Sequence, residues 1–592
     1  MVADTNRFNQ DTGLPPVQNQ LDDHSRLPNA RRHLKIYRLG IPVEWIEEPF
    51  EWVRPYRYGV IRNYSRGPVR QMRVQVDLKE KPDHGTELSY KVWAQPGWTL
   101  LGHLAIPFQI GWLSAVRFRK IFHAYDDAIS AGKFLVHQAR NSYLSQSGKK
   151  RLRTIQKELT RENSKGRILH NLTDLIEYAD DLTLTSLRPY IFADQWKSPR
   201  KETLEVFLEA SRLGLLDFRW HLLCPLCRVD RKTSNSLKEI DSTVHCDTCN
   251  VDFDTNFEHS VELTFRPNPA IREVPEGTNF CVGGPEVTPH VVVQQLMKSG
   301  EKRTIRPDLE EGRYRIRVLE QRGNQNFQVT SEGMTSVDCK FINSGWQEDR
   351  ELRISQETEF LLTNDSDDDH LFILERIAWT DQSVTAAEVI ALQRFRDLFA
   401  NEVIRPGQEI SVGSMAILFT DIRGSTRLYR EIGDATAFGI VMDHFDVLKA
   451  CIDRHNGALI KTIGDAIMGV FTHPGDGLSA ILEAQRILSQ PQSGNRPLFI
   501  KAGIHYGPCI VVNQNERLDY FGSTVNLAAR LEGLSKGDDI IISDSVFRDP
   551  DVITLLDENP IKTQAVGFQS GLKGFEGESF ELWRIESPDK NI

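Results

Sequence analysis

The chain has 592 residues, 40% hydrophobic and 26% charged, so burying a core is not in doubt, and at roughly 150 residues per domain it holds about four domains. Lys and Arg number 72 against 82 Asp and Glu, a formal charge of −10 that leaves no general basic field for nucleic acid or an anionic membrane surface. Eight cysteines are too few for a disulfide scaffold, and the polar start Met-Val-Ala-Asp-Thr-Asn-Arg precedes no apolar signal stretch, so a cytoplasmic multidomain protein is expected.

Residues 1–35 are polar and patternless and are expected to be disordered or extended. Within 36–140, the runs Arg73–Leu78 and Leu88–Trp93 alternate about a Lys-Glu-Lys-Pro-Asp-His-Gly-Thr link, which predicts a hairpin with one apolar face. Leu100 to Val116 contains His103, Pro107, Gln109 and two glycines, short of the roughly 18 clean apolar residues of a membrane span, and reads as a buried amphipathic helix continuing through Phe122. Strands followed by one long helix resemble the helix-grip fold of START and polyketide-cyclase-like proteins. The resemblance implies a small hydrophobic or other ligand held by this domain, with a structural or dimerising role as the alternative.

Residues 141–280 read as a helical region around a metal ribbon. Lys149 to Arg167 carries eight basic residues and two acidic ones without aromatics for base stacking, so it reads as a solvated helix or linker rather than a nucleic-acid arm. Thr203 to Leu216 has apolar residues at helical spacing. Cys224-Pro-Leu-Cys227 and Cys246-Asp-Thr-Cys249 form C-x2-C-x18-C-x2-C, the spacing of a tetrahedral zinc site. Four thiolates leave no open position, so one structural Zn²⁺ per chain is expected from Cys224, Cys227, Cys246 and Cys249. A redox dithiol would need one pair only, and two disulfides would be reduced in a cytosol. His245 could replace a ligand but is not required.

Residues 281–380 turn to short strands: Tyr314, Ile316 and Val318 alternate with Arg313, Arg315 and Arg317, and Phe360–Leu362 and Leu371–Leu374 continue the series, giving a small β domain. The acidic run Asn364–Asp369 lacks the glycine and closing glutamate of an EF-hand and reads as a solvated loop. Thr385-Ala-Ala-Glu388 opens a helix with a capping box, and Leu392, Phe395 and Phe399 keep helical spacing, so 381–410 is a helical connector.

In 411–592 the apolar run Ser414–Thr420 ends in Asp421-Ile-Arg-Gly-Ser-Thr426, a carboxylate at a strand end followed by a helix start able to face phosphate. Gly464-Asp465 forms the tip of a hairpin between Ala458–Ile463 and Ala466–Phe471. The order β-α-α-β-β-α-β predicts a palm-like, ferredoxin-related sheet with helices on one face. The fold class expected is therefore multidomain α+β.

Four motifs carry a specific resemblance: Phe-Thr-Asp-Ile-Arg-Gly-Ser-Thr (419–426), Lys-Thr-Ile-Gly-Asp (461–465), Gly-Ile-His-Tyr-Gly-Pro (503–508) and Asp-Tyr-Phe-Gly-Ser-Thr-Val-Asn-Leu-Ala-Ala-Arg-Leu (519–531). In this order they resemble the class III nucleotidyl cyclases; the Gly-Gly-Asp/Glu-Glu-Phe hairpin of diguanylate cyclases is absent. The resemblance implies two Mg²⁺ or Mn²⁺ ions on Asp421, Asp465 and the Ile422 carbonyl, with the amides of Gly424, Ser425 and Thr426 cradling phosphate. It implies that Asn526 orients the ribose and Arg530 neutralises charge growing on the α-phosphate; these two lie four apart, on one helix face. Lys573, in Gly-Leu-Lys-Gly-Phe, matches the position that meets the terminal phosphates. Lys461 can donate to adenine N1 and Asp519 can accept from the 6-amino group, whereas guanylate cyclases place Glu where Lys461 stands. His505 reads as structural. The expected activity is ATP to cyclic AMP and pyrophosphate, in a homodimer whose sites draw metal carboxylates from one chain and Asn/Arg from the other. Another base specificity, or a silent nucleotide-binding module, is the alternative.

Overall fold

The computed structural model describes residues 2–586 apart from 20–29, 39, 83–84, 98–105, 131–142, 163–164, 226–227, 229, 247–250, 276–278, 320, 322, 347–350, 378–381, 491–495, 559–563 and 576. The start of the chain is not patternless. Thr5–Asp11 is a helix capped by the Asp4 carboxylate, which accepts from the Arg7 N–H at 3.0 Å, and Phe8 is buried against Tyr90, Phe118 and Phe122. A single aromatic ring supplies the burial that the flanking polar composition conceals.

The expected hairpin forms between Val69–Glu80 and Thr86–Pro96, with Val76 opposite Tyr90. The helical stretch beyond it is π-helical over Ile106–Leu113 and α-helical over Ser114–Ser130. A cavity of about 430 Å³ lies among Phe8, Trp45, Tyr58, Tyr90 and Phe118, between this sheet and the helices on it.

The regions 36–140 and 281–380, expected as separate domains, share one 14-stranded sheet. Glu51–Val53 pairs antiparallel with Val291–Met297, and the Trp52 indole donates to the Val291 carbonyl 239 residues later at 3.0 Å. Backbone pairing leaves no pattern in sequence, which is why the junction was not expected. The arginines of Gly312–Val318 are not simply solvated: Glu375 across the ladder, itself buried, accepts from Arg315 at 2.5 Å and Arg317 at 3.0 Å. The aspartates of the acidic run, Asp365 and Asp367 to Asp369, are exposed as expected of a solvated loop, while Asn364 is buried and anchors the turn, its side chain donating to the Met297 and Asp368 carbonyls at 3.1 and 2.8 Å.

The middle region is inserted between the halves of that sheet. Its helices Gln146–Glu162, Gly166–Tyr178 and Arg200–Arg212 pack with a four-stranded sheet whose last strand, Val384–Thr385, belongs to the connector. The connector is two short helices, Ala386–Ile390 and Gln393–Leu398, rather than one. Thr385 caps the first as expected, its hydroxyl accepting from the Glu388 N–H at 3.3 Å. Among the described residues, no helix is long and apolar enough to cross a membrane.

The C-terminal sheet has the order Ala458–Ile463, Ala466–Phe471, Glu409–Ile422, Ile500–Gln514, Asp539–Ser543, Phe580–Glu586, Gln564–Ser570, with Arg517–Phe521 paired to Ile500–Gln514. Alternation along Glu409–Ile422 sends Ala416, Leu418 and Ile422 into a core with the helices Asp434–Arg454 and Pro474–Ser489. Met415, Ile417 and Phe419 point the other way, into one continuous core with Trp220, Phe257, Val389 and Phe395 of the middle region and connector. Helices on one face only were expected; instead both faces are covered, which accounts for the unbroken apolar run.

The helix Ser523–Glu532 lies on this second face, and two glycines admit it. A Cβ at Gly503 would stand 2.2 Å from the Glu532 nitrogen, and one at Gly507 would stand 2.8 Å from Thr524 Oγ1. Four residues apart on a strand, both glycines face the helix, which runs across them antiparallel to the strand. Gly503→Ala should cost about 1–3 kcal/mol by forced overpacking. Gly439→Ala, on the exposed side of Asp434–Arg454 with nothing within 4 Å, should stabilise by about 0.5–1 kcal/mol. Urea unfolding midpoints check both, and equal shifts would refute the close-approach account.

Candidate active site

Asp421 lies at the end of Glu409–Ile422, directly across the ladder from Lys501, and Asp465 follows Gly464 in the tip of the neighbouring hairpin. Gly464 has φ +67°, a left-handed turn that glycine adopts without strain. Burial, and next the proximity of Asp465, raise the Asp421 pKa above the ordinary carboxylate value; Lys501 opposes them, its Nζ 3.2 Å from Asp421 Oδ2. Glu532 Oε1 is 3.7 Å from the same Nζ.

Asp465 Oδ2 is buried and has no hydrogen-bond partner among the described residues. An undonated carboxylate oxygen beside a second carboxylate is the donor chemistry of a hard divalent cation, so these residues fit Mg²⁺ or Mn²⁺. Among the described residues no three His, Cys, Asp or Glu side chains converge on one point, so the protein brings two carboxylates here, with the Ile422 carbonyl next in the chain. Gly424 caps the helix Ser425–Ile432, and Ser425 and Thr426 form its accessible first turn.

Lys461 and Asp519 come together at 2.6 Å, on strands that are not hydrogen-bonded to each other. Lys461 Nζ also lies 5.7 Å from the centre of the exposed Phe521 ring. Asn526 and Arg530 are exposed on the outer face of Ser523–Glu532, while Thr524, Leu527, Ala528 and Leu531 are buried beneath. Lys573 is exposed in a turn whose neighbour Leu572 is buried against Leu527 and Leu531, so that turn rests on the same helix. His505 Nδ1 lies 2.8 Å from Ser543 Oγ, and burial lowers its pKa to about 4, so it stays neutral near pH 7.

Of the four paired cysteines, Cys224 and Cys246 are buried, while Cys227 and Cys249 lie outside the described residues. Cys246 ends the strand Thr243–Cys246, which pairs with Val251–Asp254.

Lys501 and Glu532 escaped the sequence reading. A lysine in the otherwise apolar strand Ile500–Ile504 was the available signal, since a buried cation implies an anion opposite it. Gln393 and Arg396 of the connector, which bond to Leu459 and Leu518 beside the Lys461–Asp519 pair, left no comparable signal.

Residues 408–567 match the family described as the adenylate and guanylate cyclase catalytic domain, and residues 152–278 match a family of unknown function, DUF5939. An adenylate cyclase of Anabaena cylindrica is 32% identical over 163 residues, 24% of this chain and 32% of that protein. An adenylate cyclase of Lachancea kluyveri is 31% identical over 194 residues, 28% of this chain and 10% of that one, so the chain spans a third or less of either relative's length. Among solved structures, the adenylyl cyclase CyaB from P. aeruginosa is 22% identical over 31% of this chain and 99% of its own, with a TM-score of 0.26. The guanylate cyclase domain of RhGC from Catenaria anguillulae, in complex with GTP, is 21% identical over 31% and 99%, also with a TM-score of 0.26. The C-terminal region carries a class III nucleotidyl cyclase catalytic domain.

Because the Asp421 pKa is raised, the metal-free fold binds this proton more tightly than the unfolded chain does, and its stability falls as pH rises from the ordinary carboxylate range through that raised pKa. Asp465→Ala removes a repulsive neighbour, so at about pH 7.5 the metal-free variant should melt at or above the wild type, while the Tm increase that Mg²⁺ or Mn²⁺ gives the wild type should disappear. Thermal unfolding with and without metal checks this; an undiminished metal shift would remove Asp465 from the ligand set.

Proposed function

We propose that this protein is an adenylate cyclase forming 3′,5′-cyclic AMP and pyrophosphate from ATP. The observation that carries the reading is the Lys461–Asp519 pair, a donor beside an acceptor, in the same catalytic domain as the adjacent carboxylates Asp421 and Asp465. Adenine offers N1 as an acceptor and the 6-amino group as a donor, complementary to Lys461 and Asp519 respectively; guanine presents the reverse pattern. Lys461 and Asp519 already lie side by side at 2.6 Å, so the adjacent N1 and 6-amino group of one adenine edge meet a donor and an acceptor that are held together rather than collected from solvent.

The ribose 3′-oxygen attacks the α-phosphorus, the bond from that phosphorus to the bridging oxygen of the β-phosphate breaks, and the 3′-hydroxyl proton passes to solvent. Divalent cations on Asp421, Asp465 and the Ile422 carbonyl would supply acidification of that hydroxyl and neutralisation of the triphosphate. Arg530 takes up charge at the α-phosphate, Asn526 orients the ribose, and Lys573 with the amides of Gly424, Ser425 and Thr426 meets the remaining phosphate oxygens. The exposure of Asn526 and Arg530 supports their serving a site completed by a second chain, in a homodimer with two equivalent sites.

Assay of the purified chain with each of ATP, GTP, CTP and UTP, with Mg²⁺ or Mn²⁺, should give cyclic AMP as the main product; no cyclic product from any of them ends the reading. Asp465→Ala and Asn526→Ala homodimers should each be nearly inactive. Mixed with subunit exchange, they should regain at most about a quarter of wild-type activity, because half the dimers are mixed and each carries one intact site. No recovery despite demonstrated exchange would refute the shared site.

We further propose one structural Zn²⁺ per chain on Cys224, Cys227, Cys246 and Cys249. The burial of Cys224 and Cys246 and the hairpin ending at Cys246 support it. Elemental analysis should find one zinc per chain in the wild type and none after Cys224→Ser with Cys249→Ser; zinc-free native protein overturns it.

A further inference from the structure

The strands bearing Lys461 and Asp519 do not pair with each other, so no ladder of the sheet sets their spacing directly. Each is fixed in the sheet by its own neighbour, Lys461 opposite Met468 and Asp519 opposite Val512, and both strands are also bonded by one short element, the connector helix Gln393–Leu398. The Leu459 N–H, two residues before Lys461 on the sheet's outer strand, donates to Gln393 Oε1 at 2.8 Å. Between Leu459 and Lys461 the register slips by one residue, a bulge that re-aims the strand just where Lys461 leaves it. The Leu518 carbonyl, immediately before Asp519, accepts from Arg396 Nη2 at 2.7 Å.

Each of these contacts is fixed from behind. The Gln393 amide nitrogen donates to Asp397 at 2.8 Å, which orients its oxygen toward Leu459, and Lys449 pairs with Asp397 at 3.1 Å. Phe395 is buried edge-on to Trp220 of the middle region at 6.1 Å, and Arg394 pairs with the buried Glu209 at 2.6 Å. The seat of this helix on the middle region is therefore coupled, through these two bonds, to where Leu459 and Leu518 stand in their ladders.

We propose that Gln393 and Arg396 are positioning residues for base recognition: they set the separation of Lys461 and Asp519 and make nucleotide affinity depend on how the connector sits on the middle region. The proposal rests on the reading of Lys461 and Asp519 as base readers. Neither residue touches the base, so their loss should weaken selection of adenine more than turnover of bound nucleotide.

The test uses the full chain with Gln393→Leu, Arg396→Met and Arg396→Lys, and Lys461→Glu as control. KM and kcat for ATP and GTP are measured, with binding of each nucleotide by competition against a fluorescent ATP analogue. Gln393→Leu and Arg396→Met should each raise the ATP KM and Kd about tenfold, with kcat changed less than about threefold and the ATP-to-GTP preference reduced. Arg396→Lys, which can still donate to the Leu518 carbonyl, should recover most of the difference. Native ATP affinity and preference in Gln393→Leu and Arg396→Met, with Lys461→Glu shifting the preference, overturns the proposal alone. A fall in kcat and Tm with the preference untouched also overturns it, because a purely structural role predicts that result. Should either variant fail to fold, Gln393→Met and Arg396→Leu, which remove the same acceptor and donor, are read by the same criteria. An unshifted preference in Lys461→Glu places the failure in the base-reader assignment, and the proposal falls with it.

Discussion

Burial of the strand Glu409–Ile422 on both faces is the constraint from which the catalytic region is organised. Ala416, Leu418 and Ile422 need the helices Asp434–Arg454 and Pro474–Ser489, while Met415, Ile417 and Phe419 need the middle region and the connector. Cutting the chain near residue 411 would leave the second face apolar and open to water, at roughly 25 cal/mol for each Å² exposed. The catalytic sheet and the middle region thus share one interior, and a displacement of either is felt by the other through side chains already in contact.

Polar groups begin where that double burial ends. Asp421 has the same strand parity as Phe419, so it emerges on the face that carries Ser523–Glu532, and Lys501 faces it from the neighbouring strand. Lys501 offsets part of the cost of keeping Asp421 partly out of water, while Glu532, which shares that ammonium, is a like charge to Asp421 and has its own pKa raised by burial and next by Asp421. The same face bears the helix admitted by Gly503 and Gly507, so those glycines place Asn526 and Arg530 at a fixed height above the sheet.

What could be read in the sequence followed from how local its causes are. Asp421 at a strand end, Asp465 in a hairpin tip, and Asn526 and Arg530 four apart on a helix are set by short-range periodicity, and the structure puts them in those elements. The Thr385 cap and the Val69–Pro96 hairpin were legible for the same reason. The union of 36–140 with 281–380 was not, because it rests on backbone pairing between Trp52 and Gln294, for which side chains give no code. Phe8 misled through its polar neighbours, and Gln393 and Arg396 bind main-chain atoms, so no complementary residue in the sequence points to them. The coverage of both sheet faces was hidden because an apolar run reads alike whether its second face meets helices or another region of the chain.

The insertion of the middle region into the large sheet has a consequence for how the protein is made. The strands up to Thr86–Pro96 leave the ribosome long before Val291–Met297, their partner at Glu51–Val53. With 239 residues between Trp52 and Val291, translation at about 5–20 residues per second leaves that edge unpaired for roughly ten to fifty seconds. During this interval the nascent chain presents a free β-edge, the surface on which strands of neighbouring chains add. The middle region, complete in sequence before the second half of the sheet except for Val384–Thr385 and the connector, can condense while the edge waits. The insertion thus places a demand on synthesis: the short edge at Glu51–Val53 has to stay unpaired with other chains until Val291–Met297 emerges.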